Sequence, residues 1–193
     1  MKIIFFKKNY FLKLIIIILM NFLHKNYVFA QQIPPENFLT FSEINENFSK
    51  PVKLGAHNLK VWGFKVYNIQ LLSETKNFSY QNKLALVINY QRDFAKKDLI
   101  QKSLEEISRI NDINDEALLK TYQNKLEEIF FEVKKGDRKT AFFDPKNGVK
   151  LYFNGKFVGT INDLVFAKRF FDIWLSDKSS YPKMTQAILG KNE

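Results

Sequence analysis

The chain has 193 residues, 46% hydrophobic and 16% aromatic, which supplies enough apolar surface for one buried core and argues against disorder. It holds no cysteine and only His24 and His57, which removes disulfides, thiolate metal sites and thiol nucleophiles and leaves almost no imidazole for a metal centre. Its formal charge of +10 is uneven: residues 1–30 carry five lysines and no acid, leaving an excess of five over the rest, interleaved with acids and unsuited to nucleic acid.

Residues 1–30 read as a signal peptide. A lysine-bearing start precedes the apolar run Leu14–Met20, and Val28-Phe29-Ala30 sets small residues for cleavage before Gln31. That run is shorter than the roughly 20 residues that span a bilayer, so no stable membrane span is expected after cleavage. Retention of the leader as an anchor is the alternative. A Lys-, Asn-, Ile- and Phe-rich composition fits a bacterial source, and the expected location is the periplasm.

Residues 31–50 are polar, with Pro34-Pro35 and scattered Phe, and predict a loosely docked N-terminal extension before a single domain over 51–190. The stretch 51–73 is β-like, and its apolar alternation changes phase between Trp62, Phe64, Val66 and Tyr67, Ile69, Leu71, which predicts a one-residue bulge. His57 reads as a turn residue near a strand start. Lys83–Gln91 is a strand with Leu84, Leu86, Ile88 and Tyr90 on one face. Two amphipathic helices follow. The first carries Leu99, Ile100, Leu104 and Ile107; the second has Asn114 as its N-cap and Leu118, Leu119, Tyr122, Leu126, Ile129 and Phe130 as its stripe.

Residues 139–161 return to strand, with Asn154-Gly155 as a two-residue hairpin turn. Asn162 or Asp163 caps a helix that buries Leu164, Ala167, Phe170, Phe171 and Trp174. A short helix Lys183–Leu189 ends at Gly190. Strands and helices in blocks indicate an α+β fold, an antiparallel sheet covered on one face.

No phosphate loop, nucleophile elbow or zinc-protease motif is present. Glu105-Glu106 and Glu127-Glu128 are adjacent on helices, point about 100° apart and read as solvated faces. Gly136-Asp137-Arg138 reads as a turn into a strand whose Arg pairs with a carboxylate. Arg92-Asp93 reads as a strand-end ion pair, with a substrate-facing cation as the alternative.

In sequence, Gly55-Ala56, Phe64-Lys65-Val66-Tyr67, Leu86–Asp93, Lys135-Gly136-Asp137-Arg138, Asp144-Pro145, Gly148, Tyr152-Phe153-Asn154-Gly155, Gly159, Phe170–Leu175 and Ile188-Leu189-Gly190 resemble the chalcone isomerase-like family. The likeness covers about residues 50–190 and is nearest to exported bacterial members. It implies an open-faced β-sandwich, with a ligand cleft between the sheet and a helix layer. The plant enzymes close a chalcone to a flavanone, a step that needs a cation for the phenolate and a donor for the enolate. The resemblance puts Leu59 where the family has its Arg, with Lys60 beside it on the opposite face and a poor two-point clamp. It puts Lys96 and Ser103 at the polar Tyr and Asn of the first helix, and Tyr67 at the first-sheet Thr, as in the fatty-acid-binding members.

These departures lead to an expectation of a non-catalytic exported protein that holds an apolar or amphipathic small molecule, lipid-like or aromatic, with no cofactor and no metal. Tyr67, Tyr90 and Tyr122 are the candidate hydroxyls, and Lys60, Lys96 and Ser103 the other candidate ligand contacts. An isomerase (intramolecular lyase) is the alternative, and an envelope structural or adaptor protein the second. The sequence leaves oligomeric state open.

Overall fold

The computed structural model describes residues 40–191. The leader, its cleavage site and residues 31–39 lie outside the described residues. Helix α1 (Ser42–Asn47) precedes strands β1 (Val52–Val61), β2 (Phe64–Ser73) and β3 (Leu84–Tyr90). Helices α2 (Lys96–Asn111) and α3 (Glu116–Ile129) follow, then β4 (Arg138–Asp144), β5 (Gly148–Phe153) and β6 (Lys156–Ile161), and last α4 (Leu164–Leu175) and α5 (Pro182–Ile188). The six strands form one antiparallel sheet in chain order, the α+β arrangement expected.

The β-like stretch 51–73 is two strands. Trp62 (φ 50°) and Gly63 (φ 83°) both adopt the left-handed backbone of a tight hairpin turn, an unusual conformation for Trp. The phase change is nonetheless a bulge. Leu59 pairs with Tyr67 and Lys60 with Lys65, so Val66 is the extra residue and Val66 and Tyr67 both reach the helix side. His57 lies inside β1 opposite Ile69 rather than in a turn. At the other hairpin, Asn154 (φ 50°) and Gly155 (φ 80°) make the expected turn.

Helix starts follow their caps. Asp115, one residue beyond the expected Asn114, accepts from the Leu118 amide at 3.0 Å. Asp163 accepts from Val165 and Phe166 at 2.9 and 3.1 Å. Helix α4 buries Phe166, Ala167, Phe170, Phe171 and Leu175. Leu164, expected inside, is 45% exposed, as is its neighbour Val165 at 57%, so the buried stripe of this helix begins only at Phe166.

The main core lies between the helices and the sheet face bearing Ile69, Leu71, Leu84, Leu86, Ile88, Ala141, Phe143, Val149 and Leu151. The opposite face is not open throughout. Phe41, Ile44 and Phe48, at helical spacing, are buried against Leu72, Ala85, Val87, Phe142 and Tyr152. The buried Glu43 pairs with Arg138 at 3.0 Å and accepts from Thr140 at 3.1 Å, while the Arg138 guanidinium stacks 3.5 Å from the Phe41 ring centre. Residues 41–48 are therefore firmly docked, contrary to the loose docking expected, and β3 is buried on both faces.

Candidate functional site

Between the sheet and helices α2, α4 and α5 lies a cavity of about 500 Å³, within the usual range for small-molecule sites. Its wall is mostly apolar: Leu59 and Val61 from β1, Val66 from the bulge, Leu86 and Ile88 from β3, and Phe170 and Ile173 from α4 contribute. The Val66 bulge matters here, because it turns consecutive residues 66 and 67 toward the same space.

Polar groups are few and placed. Tyr67 donates to Met184 Sδ at 3.6 Å and accepts from Trp174 Nε1 at 3.2 Å, a bridge linking β2, α4 and α5. Burial pushes the Tyr67 hydroxyl up, against a smaller lowering by the Trp174 hydrogen bond, and burial pushes Tyr90 up as well. Both phenols remain protonated donors at neutral pH.

Three of the six candidate residues line the cavity: Tyr67, Tyr90 and Ser103. Ser103 donates its proton to the Leu99 carbonyl at 2.8 Å, so it offers a ligand only lone pairs. The other three do not contribute. Tyr122 is buried between α3 and α4, stacked on Phe166 with ring centres 3.9 Å apart, its hydroxyl accepting from Arg169 at 2.6 Å. Lys96 donates to the Glu127 carbonyl and ties α2 to α3. Lys60 is exposed on β1, beside the buried Leu59 and on the other face.

The adjacent-acid reading also divides. Glu127 and Glu128 are exposed, but Glu106 is buried at the cavity wall. Burial pushes its carboxyl up, but hydrogen bonds from Arg109 (2.6 Å) and Ser180 (2.7 and 2.9 Å), with the charges of Arg109 and Lys102, outweigh that and hold it low. Arg92 does not pair with Asp93. It lies 5.5 Å from the Phe94 ring centre at the cavity, and Asp93 accepts from the Lys135 amide at 2.8 Å. Arg138 pairs with a carboxylate as expected, that of Glu43.

Sequence reading missed Lys139. On β4 it pairs in register with Ile88 and Phe153 and faces the cavity among apolar neighbours. A lysine in phase with Ala141 and Phe143 on the buried face was the available signal. Among the described residues, no three His, Asp or Glu side chains gather around a common metal position, and no helix is long and apolar enough to cross a membrane.

No curated protein matches the chain in sequence. Among solved structures, the fold is similar to the crystal structure of a fatty-acid binding protein of Arabidopsis thaliana, with a TM-score of 0.58 and 10% identity over 74% of this chain and 88% of that one. At that identity the likeness is one of fold alone. The family model for chalcone isomerase-like proteins matches residues 55–190, from the glycine of β1 that meets α5 to the glycine that closes α5. With most of its length matched, and with the six-stranded sheet and helix layer in place, the chain belongs to the chalcone isomerase-like family.

Proposed function

We propose that this chain is an exported, non-catalytic binding protein that holds one apolar or amphipathic small molecule, fatty-acid-like or aromatic, between its sheet and helices. The observation that carries this reading is the mostly apolar cavity of about 500 Å³ with a few fixed polar groups. The structural neighbour that binds fatty acid supports it at the level of fold. Leu59, buried at the cavity where the family resemblance expects a guanidinium, argues against cyclisation. Native mass spectrometry of protein purified from the periplasm is expected to detect a co-purified small molecule; ligand-free protein that also ignores apolar fluorescent probes would overturn the reading. N-terminal sequencing of the same material is expected to start at Gln31.

An isomerase is the second reading, favoured by one observation: the Tyr67 hydroxyl and the Lys139 amine face the same cavity. Chalcone absorbance followed with and without protein decides between them. The binding reading expects the spontaneous rate.

A further inference from the structure

Lys139 is 7% exposed, and its Nζ has no hydrogen-bond partner among the described residues. An ammonium carries three donors, and leaving them unmet out of water is costly. Two aromatic rings are what the fold offers: Phe130, its centre 3.7 Å from Nζ, and Tyr90 at 5.9 Å. Ring faces attract a cation but accept no strong hydrogen bond.

Among the described residues, no acid pairs with it. Glu106 is committed to Arg109, Lys102 and Ser180. Asp98 and Glu105 also border the cavity, yet neither forms an ion pair with Lys139. The neighbouring charge acting on Lys139 is that of Lys96, of the same sign. The cavity thus joins a buried, uncompensated ammonium to a mostly apolar wall; Arg92, which also lines it without an ion pair among the described residues, is exposed.

We infer that Lys139 is the head-group anchor of the cavity, and that its ligand is a monocarboxylic amphiphile such as a long-chain fatty acid, the carboxylate meeting Nζ and the chain lying on the apolar wall. This rests on the ligand-binding reading above and names the chemistry of that ligand. A single carboxylate supplies the missing charge and acceptors together, whereas a neutral lipid of equal length leaves Nζ as it was.

Titration sharpens the expectation. Burial, aided by the charge of Lys96, pushes Lys139 down to about 7. Around it, β3 presents Tyr90, β2 presents Tyr67 and the start of α5 brings Tyr181; Arg92 follows β3. Helix α2 brings Lys96, Asp98, Lys102, Glu105 and Glu106, while Phe130, Phe170 and Leu151 stand for α3, α4 and β5 at the wall. Binding an anion favours protonated Lys139, so acid affinity is strongest between about pH 5, where the ligand's carboxyl ionises, and about pH 7, and falls about tenfold per pH unit above that until the liganded lysine itself loses its proton.

The test compares cis-parinaric acid with its neutral methyl ester by fluorescence titration of the mature protein. Wild type at pH 6.5 is expected to bind the acid about 10- to 100-fold more tightly than the ester, the range of a charge-assisted contact. Lys139→Met is expected to bring the acid down to the ester's affinity in the same variant and to abolish the pH slope. Equal wild-type affinities for acid and ester, or a slope that survives in Lys139→Met, would overturn the anchor while leaving the binding reading intact. Binding of neither probe by wild type removes the binding reading and the anchor with it. The wild-type pH titration needs no variant, so a Lys139→Met protein that failed to fold would not shield the inference.

Discussion

The Trp174 indole donates to the Tyr67 hydroxyl at 3.2 Å, closing one wall of the cavity between α4 and β2. The same hydroxyl donates to Met184 on α5, so one phenol ties three elements together. Phe170 meets the Trp174 ring edge-on at 5.5 Å, which fixes the indole from the core side.

That arrangement ranks three substitutions. Trp174→Ala removes a ring that packs on the core and is expected to cost about 3 kcal/mol, while Tyr67→Phe keeps the ring, loses the hydrogen bonds and costs about 1 kcal/mol. Glu127→Ala, on an exposed face, is expected to stay within about 0.5 kcal/mol of wild type. Urea unfolding measures all three, and equal effects would refute the ranking.

The unpaired ammonium of Lys139 makes the ligand-free protein pH-sensitive. Its folded value is depressed from 10.5 to about 7, so between those values the unfolded chain binds more protons and stability rises with pH. Below about pH 7 the full penalty of the buried cation is present; above 10.5 it is gone. Lys139→Met is expected to stabilise the ligand-free protein at pH 7 by about 1–4 kcal/mol and to flatten the rise across that window. Thermal melts at stepped pH on delipidated protein check it. A variant less stable than wild type at neutral pH would contradict the account.

Gly55 and Gly63 separate space from conformation. A Cβ at Gly55 would run into the Ala187 and Ile188 carbonyl oxygens, so Gly55→Ala forces α5 off β1 and is expected to cost about 3 kcal/mol or more. At Gly63 (φ +83°) a Cβ meets nothing within 4 Å, and Gly63→Ala pays only the left-handed backbone penalty of about 1–2 kcal/mol. Denaturation midpoints test the order, and Gly63→Ala as the worse of the two would reverse it.

Arg138 neutralises the buried Glu43 and covers Phe41. Arg138→Ala leaves that carboxylate buried and unpaired, and is expected to cost about 3–5 kcal/mol. Loss should begin at α1: hydrogen exchange over residues 42–48 is expected to rise before that of β3. Uniform exchange across the chain would show that the pair supports the whole sheet instead.

Local chemistry decided much of this protein at the sequence level. Asn154-Gly155, Asp163 and the stripes of α2, α3 and α4 declare themselves within a few residues, because a positive φ, an orphaned amide or a helical period needs no distant partner. The Val66 bulge was legible for the same reason: a phase shift is written in the order of side chains. Tertiary structure decided what depends on a second element. The docking of α1 needed the Leu72, Val87 and Phe142 face opposite it, although the spacing of Phe41, Ile44 and Phe48 was there to be read. Tyr122 and Lys96 became helix–helix contacts rather than ligand contacts, because a polar tip binds whichever partner packing brings within reach. Lys139 gained its importance only from what surrounds it. A lysine on a strand is ordinary in water, and becomes an uncompensated charge when β3 and β5 flank it and the Phe130 ring covers it.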